Sequence, residues 1–147
     1  MVVRSRGRVL LGRRARGAYA GLWCVPCGYV EWGEDVREAA RRELREETSL
    51  EAEGLSLLAV HSNFHDPGRL TVGVWFRARG VRGVPRAGDD LDEVAFFPLD
   101  DLPPLAFPTD RLVLDALRRS RGRPRTKAPS GVRRPRARGR PGRGPHR

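Results

Sequence analysis

Three glutamates, Glu43, Glu46 and Glu47, have the residue type and spacing to bind a cation together. They fall in residues 35–47, which lack Gly and Pro and are rich in Ala, Arg, Glu and Leu, so this stretch is predicted to be a helix. On a helix, positions i, i+3 and i+4 are neighbours, and the helical projection places the three glutamates on the face that carries Val36. The glutamates of a Glu-rich helix usually lie on its solvated face and pair with arginines. Here the arginines project mainly from the side of the helix opposite the three glutamates.

Carboxylates that share an inward face repel one another and lose hydration unless a positive group lies among them. A ligand set made of oxygen, with no Cys or His in the cluster, favours Mg²⁺, with Mn²⁺ as the alternative, over zinc. Mg²⁺ usually completes its shell with water and substrate phosphate. The spacing therefore predicts phosphate chemistry, in which a metal-bound water attacks phosphorus and a carboxylate acts as general base.

The residues around these glutamates follow a longer pattern. Residues 28–50 read Gly28-x5-Glu34-x7-Arg42-Glu43-Leu44-x-Glu46-Glu47-x-Ser49-Leu50, preceded by Trp23-x-x-Pro26. This pattern resembles the Nudix box at every position except Ser49, and the resemblance extends over residues 2–118. So many fixed residue types at fixed spacing make the signal specific. The resemblance implies a metal-dependent pyrophosphohydrolase.

The resemblance also implies a role for each matching residue. It implies metal ligation by Glu43, Glu46, Glu47 and the main chain of Gly28. Glu43 and Glu47 are alternative general bases, Arg42 is the residue that orients a box glutamate, and Glu34 is a supporting carboxylate. Family members often add a carboxylate from a later loop; within residues 88–93 we expect Glu93 to supply it, and the alternative is an acidic solvated loop.

Ser49 stands where the family pattern has Gly, at the end of the predicted helix. A left-handed residue normally ends a helix there, and Ser in that conformation should cost on the order of 1 kcal/mol relative to Gly. We therefore expect reduced stability and retained activity.

Aromatic side chains are the candidates for stacking on a nucleobase: Trp23, Phe64 and Phe107 are expected to contact substrate, and the alternative for each is a place in the core. Cys24-x-x-Cys27 with His61-x3-His65 imitates a zinc site. The intervening segment contains the whole catalytic helix and is much longer than in a zinc finger, so ordinary packing is preferred for the cysteines.

The elements that must position these residues indicate an α/β (α+β) fold. Strands are predicted near residues 7–12, 23–26, 56–63, 70–79 and 94–97, and a second helix over residues 110–119 with Thr109 as its N-cap. The resemblance implies the Nudix fold, a mixed β-sheet sandwiched between α-helices. Only Val2 and Val3 precede the first turn, so a strand edge is expected to lie uncovered or to be covered by another element.

Charge divides the chain into two parts. The net charge is +11, yet from Arg118 onward there are 13 Lys and Arg residues and no acidic residue, which leaves 16 basic against all 18 acidic side chains in residues 1–117. Residues 121–147 are mostly Arg, Pro and Gly and are predicted to be a disordered tail after a Nudix domain at 1–120. No stretch could cross a membrane and no signal peptide is visible, so a cytoplasmic location is expected.

The expected substrate is a nucleoside diphosphate linked to another moiety, with ADP-ribose-like compounds preferred because the lead-in and residues 61–76 look most like that branch of the family. One alternative is a nucleoside triphosphate pyrophosphatase that removes modified nucleotides. A second is a nucleic-acid-binding protein that acts through weak nonspecific binding by the basic tail. The sequence leaves a homodimer open.

Overall fold

The computed structural model describes residues 1–120 of the 147, so the predicted disordered tail at 121–147 lies outside the described residues. Eight elements follow one another along the chain. They are β1 Arg4–Ser5, β2 Arg8–Arg14, β3 Trp23–Cys24, α1 Val36–Thr48, β4 Glu51–Asn63, β5 Thr71–Arg82, β6 Leu91–Pro98 and α2 Pro108–Ser120. None of the described helices is long and apolar enough to cross a membrane.

Strand β2 organises one sheet, because it pairs antiparallel with β1, β3 and β6. Strands β4 and β5 form a long antiparallel hairpin in register from Glu51↔Arg82 to Asn63↔Thr71. The hairpin turn is held by Asp66, whose side chain accepts a hydrogen bond from the Gly68 amide at 2.9 Å. This local bond is the turn chemistry expected of an Asp-Pro-Gly sequence.

The first three residues connect the two sheets. The Val2 amide donates to the Phe76 carbonyl at 2.7 Å, and the Ala78 amide donates to the Val2 carbonyl at 2.9 Å. The Leu10 amide donates to the Val3 carbonyl at 3.0 Å, which ties the same segment to β2. Val2 and Val3 thus join the edge of β5 to the sheet that contains β2. Within residues 1–120, their pairing with β5 is limited to one β-bridge, Val2↔Arg77.

Alternate residues of β2 supply two apolar cores. Val9 and Leu11 pack with Leu114 of α2 in one cluster, and Leu10 packs with Leu44 of α1 in another. Because neighbouring side chains of a strand point to opposite faces, one helix covers each face. The two helices and the antiparallel sheets together form a mixed α+β fold, which confirms the predicted fold class.

The ends of α1 have identifiable causes. Asp35 caps the start, where its side chain accepts from the Arg37 amide at 2.8 Å. Ser49 ends the helix in the left-handed region, with φ 59° and ψ 18°. The second helix begins two residues earlier than predicted: Pro108 is already helical, so Thr109 lies in the first turn and is not the cap. Proline suits a first helical position because the missing N–H has no partner there.

Candidate active site

The three glutamates of α1 that are predicted to bind metal differ in exposure. Glu47 is 1 % exposed, the Glu43 side chain is 12 % exposed, and the Glu46 side chain is 47 % exposed. Glu43 and Glu47 thus point into the molecule as expected. Glu46 does not, because its place on the helix is at the margin of the apolar face, where the side chain reaches solvent.

Glu47 is a buried acid that pairs with no arginine of residues 1–120. Its Oε2 accepts a hydrogen bond from the Cys27 amide at 2.8 Å. Burial is the main cause that raises the pKa of Glu47 to about 9, and the nearby acidic groups of Cys27 and Asp90 raise it further. The amide hydrogen bond opposes the shift. In the absence of a cation, therefore, Glu47 holds a proton at neutral pH.

Arg42 connects the other carboxylates. Its guanidinium binds both oxygens of Glu34, at 2.9 and 3.0 Å, and its Nη1 donates to Glu43 Oε1 at 2.7 Å and to Glu46 Oε2 at 3.2 Å. Nη2 also donates to the Tyr29 carbonyl at 2.9 Å. The planar guanidinium presents five donors in a fixed geometry, so this network fixes the Glu43 carboxylate and the loop before α1.

Gly28 lies against Glu43. A Cβ atom built on Gly28 would overlap the Glu43 carboxylate, so only glycine allows this close approach. Burial raises the pKa of Glu43, while the bond to Arg42 counteracts part of that rise. The loop main chain and the Glu43 carboxylate are therefore brought together.

The acidic loop contributes different residues from the one expected. Glu93 lies on β6, where it pairs with Arg13 at 2.8 Å, and it does not line the cleft. Asp89 and Asp90 line the cleft with Glu43 and Glu47 instead. The predicted acidic run therefore reaches the cleft through Asp89 and Asp90, while Glu93, the residue expected there, lies outside it.

Main-chain bonds explain the position of Asp89 and Asp90. The Arg86 amide donates to the Thr48 carbonyl at 2.9 Å, and the Gly88 amide donates to the Glu47 carbonyl at 3.1 Å. These bonds hold the loop against the last turn of α1. The only sequence signal is Gly88, since a Cβ there would meet the Glu46 carbonyl.

A cleft of about 480 Å³ opens beside these carboxylates, a volume within the range of small-molecule sites. Of the three predicted stacking residues, Phe107 lines the cleft. Trp23 is buried and packs edge-on against Phe97 at 4.7 Å between ring centroids, and Phe64 is exposed outside the cleft. Sequence analysis missed Tyr29, which also lines the cleft.

Asp110, in the first turn of α2, is a buried residue in the wall of the cleft. Its carboxylate accepts from Trp75 Nε1 at 2.9 Å and from the Val25 amide at 3.1 Å. Burial raises the pKa of Asp110, and these two bonds lower it. Asp110 and Trp75 both line the cleft, so this bond stabilises one of its walls.

The cysteines and histidines do not form a zinc site. Cys24 and Cys27 are free thiols, and a hydrogen bond to Cys24 together with burial raises the pKa of the Cys27 thiol, which makes it unreactive. The ring of His61 packs edge-on against that of Trp75, with 5.6 Å between the ring centroids. The ring centroids of His65 and Phe107 are 5.4 Å apart. Cys24 and His61 therefore pack within the fold, whereas Cys27 and His65 also line the cleft.

The donor set fits a hard divalent cation. Glu43 and Glu47 supply carboxylate oxygens that are largely shielded from solvent, and within residues 1–120 no cationic side chain pairs with Glu47. Within residues 1–120, no three His, Cys, Asp or Glu side chains already converge as metal ligands, and Arg42 Nη1 instead bridges Glu43 and Glu46. A cation would therefore be held by Glu43, Glu47 and the Gly28 main chain. Glu46 would join them by a change of its side-chain rotamer, because its carboxylate is now exposed and bonded to Arg42.

Comparison with known proteins agrees with this geometry. The NUDIX domain model matches residues 1–117. This chain belongs to the Nudix family. It is a Nudix hydrolase, an enzyme of the class that acts on phosphorus-containing anhydrides. Nudix hydrolases generally need divalent metal ions, which agrees with the carboxylate cluster.

Individual relatives support the same assignment. An ADP-ribose pyrophosphatase from Methanocaldococcus jannaschii is 36 % identical over 122 residues, covering 82 % of this chain and 72 % of that protein. An oxidized purine nucleoside triphosphate hydrolase from Danio rerio is 36 % identical over 104 residues, covering 70 % and 66 %. The crystal structure of a MutT NUDIX hydrolase from Burkholderia pseudomallei superposes with a TM-score of 0.72 at 32 % identity, covering 78 % of this chain and 91 % of that one.

Proposed function

We propose that this Nudix hydrolase cleaves the diphosphate of a nucleoside diphosphate linked to another moiety, with ADP-ribose as the first choice and Mg²⁺ as the cation. The observation that carries the proposal is the pair of inward carboxylates, Glu43 and Glu47, at one end of a cleft of nucleotide size. Similarity to the archaeal ADP-ribose pyrophosphatase favours the substrate.

The chain's own residues have distinct roles in this proposal. Glu43, Glu46, Glu47 and the Gly28 main chain hold Mg²⁺, which when bound neutralises phosphate oxygens and acidifies a water. Arg42 positions Glu43, and Glu34 in turn fixes Arg42 through two parallel hydrogen bonds.

Proton transfer falls to a carboxylate in the cleft. Glu43 or Glu47 accepts the proton of the attacking water, and Asp89 and Asp90, in place of Glu93, are the additional carboxylates from the later loop. Phe107 packs against the organic part of the substrate, whereas Trp23 belongs to the core and Phe64 lies away from the cleft.

The direct test is product analysis with Mg²⁺ and a panel of nucleotides. AMP and ribose 5-phosphate from ADP-ribose are the expected products. Glu47→Gln should lower turnover by roughly 10²- to 10⁴-fold. Glu38→Gln serves as the matched control, because Glu38 lies on the same helix, is exposed and, within residues 1–120, forms its ion pair with Arg41 alone. No hydrolysis of any diphosphate-linked nucleoside by the wild type would contradict the proposal.

A second candidate substrate is a modified nucleoside triphosphate, favoured by similarity to the Danio rerio enzyme. The two activities differ in their products, since this one releases a nucleoside monophosphate and pyrophosphate. The same panel therefore distinguishes them.

The basic tail is a separate proposal. Residues 121–147 carry 11 Lys and Arg residues (the 13 from Arg118 onward minus Arg118 and Arg119) and no acid, so this tail would bind nucleic acid nonspecifically through counterion release. A chain ending at residue 120 should keep its hydrolase activity and lose salt-sensitive RNA retention. Equal RNA retention by both chains would assign the tail no binding role.

A further inference from the structure

The edge of β5 that faces the cleft is only partly paired. Val2 covers it through the Phe76 carbonyl and the Ala78 amide. In a strand, the N–H and C=O groups of alternate residues point to the same edge, so those of Val72 and Val74 point to the same side as those of Phe76. The intervening residues, such as Gly73, direct their N–H and C=O groups toward β4.

These main-chain groups lack partners and lie in the cleft. Within residues 1–120, no hydrogen bond reaches the amide or carbonyl of Val72 or Val74. Both residues line the same cleft as Glu43 and Glu47, and their side chains are 64 % and 37 % exposed. Unpaired main-chain groups on a sheet edge are strong hydrogen-bonding sites, so a ligand in this cleft would meet them.

The order of donor and acceptor along this edge selects a type of base. The Val72 carbonyl is an acceptor and the Val74 amide, two residues on, is a donor. Adenine presents an amino donor beside the ring acceptor N1, as cytosine does with its own amino group and ring nitrogen. Hypoxanthine and guanine present an oxygen acceptor beside an N–H donor, which would place like groups against each other.

We propose that the open edge of β5 is the base-recognition element of this enzyme, in which the Val72 carbonyl accepts from the amino group of adenine and the Val74 amide donates to its N1. This inference rests on the proposed function, because it names the nucleotide that the same cleft binds. It makes an amino base, and hence an ADP-linked substrate, preferred over 6-oxopurine nucleotides.

The first test uses the wild-type enzyme and two substrates that differ at one position of the base. ADP-ribose is compared with the same molecule carrying hypoxanthine. We expect kcat/KM to be at least about tenfold higher for ADP-ribose, because reversal of the donor and acceptor leaves two buried polar groups unpaired. Values within twofold of each other would overturn the inference while leaving the diphosphate hydrolysis intact.

Binding measured without turnover separates the two hypotheses. Titration calorimetry with AMP and IMP should show tighter binding of AMP by a similar factor. If neither ADP-ribose analogue is hydrolysed, the proposed function fails, and the AMP and IMP affinities still decide the inference. Equal affinities would overturn it.

Proline substitutions locate the recognition on the strand. Val74→Pro removes the proposed donor at a sheet edge, where proline is tolerated, and should raise KM for ADP-ribose and bring the two kcat/KM values together. Val60→Pro is the matched control, because Val60 lies directly opposite Val74 on β4, is exposed and lies outside the cleft. It should preserve the preference; an equal loss of preference in both variants would overturn the assignment.

Discussion

Glu43 and Glu47 lie one turn apart on α1 and both point inward, but their surroundings differ. Glu43 accepts a hydrogen bond from Arg42, which also holds Glu34 and Glu46. Glu47 is more deeply buried, and among the described residues its one hydrogen-bond donor is the main-chain amide of Cys27. The position of Glu43 is thus set by a protein cation, whereas the charge of Glu47 depends on a cation from solution.

Among the variants that test this difference, replacement of Glu47 should cause the largest loss of activity. Glu47→Gln keeps the size of the side chain and its bond from Cys27 but removes the charge, and kcat should fall by roughly 10²- to 10⁴-fold. The variant should also be more stable than the wild type in EDTA at pH 9, because the side chain at position 47 can no longer ionise. Steady-state kinetics and denaturant unfolding check the two effects, and Glu38→Gln should change neither.

Replacement of Arg42 tests whether this arginine sets the position of Glu43. Arg42→Lys keeps the charge but loses the paired bonds to Glu34, so activity should fall by about 10- to 100-fold through misplacement of Glu43. The fall should be accompanied by weaker activation by Mg²⁺. Arg41→Lys is the control, since the side chain of Arg41 bonds to exposed Glu38 and to no other residue in the described part of the chain. Similar losses in both variants would contradict a positioning role for Arg42.

The stability of the metal-free protein should depend on pH through Glu47. Its folded pKa is raised to about 9 from an ordinary value of 4.5, so the folded state binds more protons than the unfolded state between these values. The contribution is full below pH 4.5 and is lost as pH rises through about 9. Melting temperatures in EDTA should therefore fall between pH 6 and pH 9, and Mg²⁺ should restore more of the loss at pH 9.

The matched variant isolates that titration. Glu47→Gln should show a smaller fall in melting temperature over the same pH range, because the residue that titrates is gone. A fall as steep as in the wild type would assign the pH dependence to another buried acid, with Asp110 as the next to examine.

Ser49→Gly should have the smallest effect. Ser49 ends α1 two residues after Glu47 with φ at 59°, a conformation that glycine adopts without steric cost. Thermal unfolding should show a gain of about 1 kcal/mol, with turnover unchanged because the ligands stay in place. Ser49→Ala should show no such gain, and unchanged stability together with sharply higher turnover in Ser49→Gly would disprove this explanation.

Local patterns predicted much of this molecule. The periodicity of residues 35–47 located α1, and the Asp66 turn located the β4–β5 hairpin, because both depend on neighbouring residues. Within the site, the box pattern named Arg42, whose bonds to Glu34 and Glu43 the structure describes.

Contacts between distant segments could not be predicted in the same way. The bonds that hold Asp89 and Asp90 beside α1 come from main-chain groups of any residue type, so the sequence could not distinguish these residues from Glu93. Glu46 lies at the margin of the helix face, where a projection gives no clear orientation. The partial cover of β5 by Val2 likewise depends on the path of the main chain.

The bond between Trp75 and Asp110 gives the enzyme a built-in fluorescent reporter. Trp75 lines the cleft with its indole N–H fixed, whereas Trp23 is enclosed in the core and Trp32 is fully exposed to water. Emission from Trp75 should respond to a nucleotide that enters the cleft, and a Trp32→Phe variant would remove most of the solvent-exposed background. Ligand occupancy could then be followed by stopped-flow optics without any attached label.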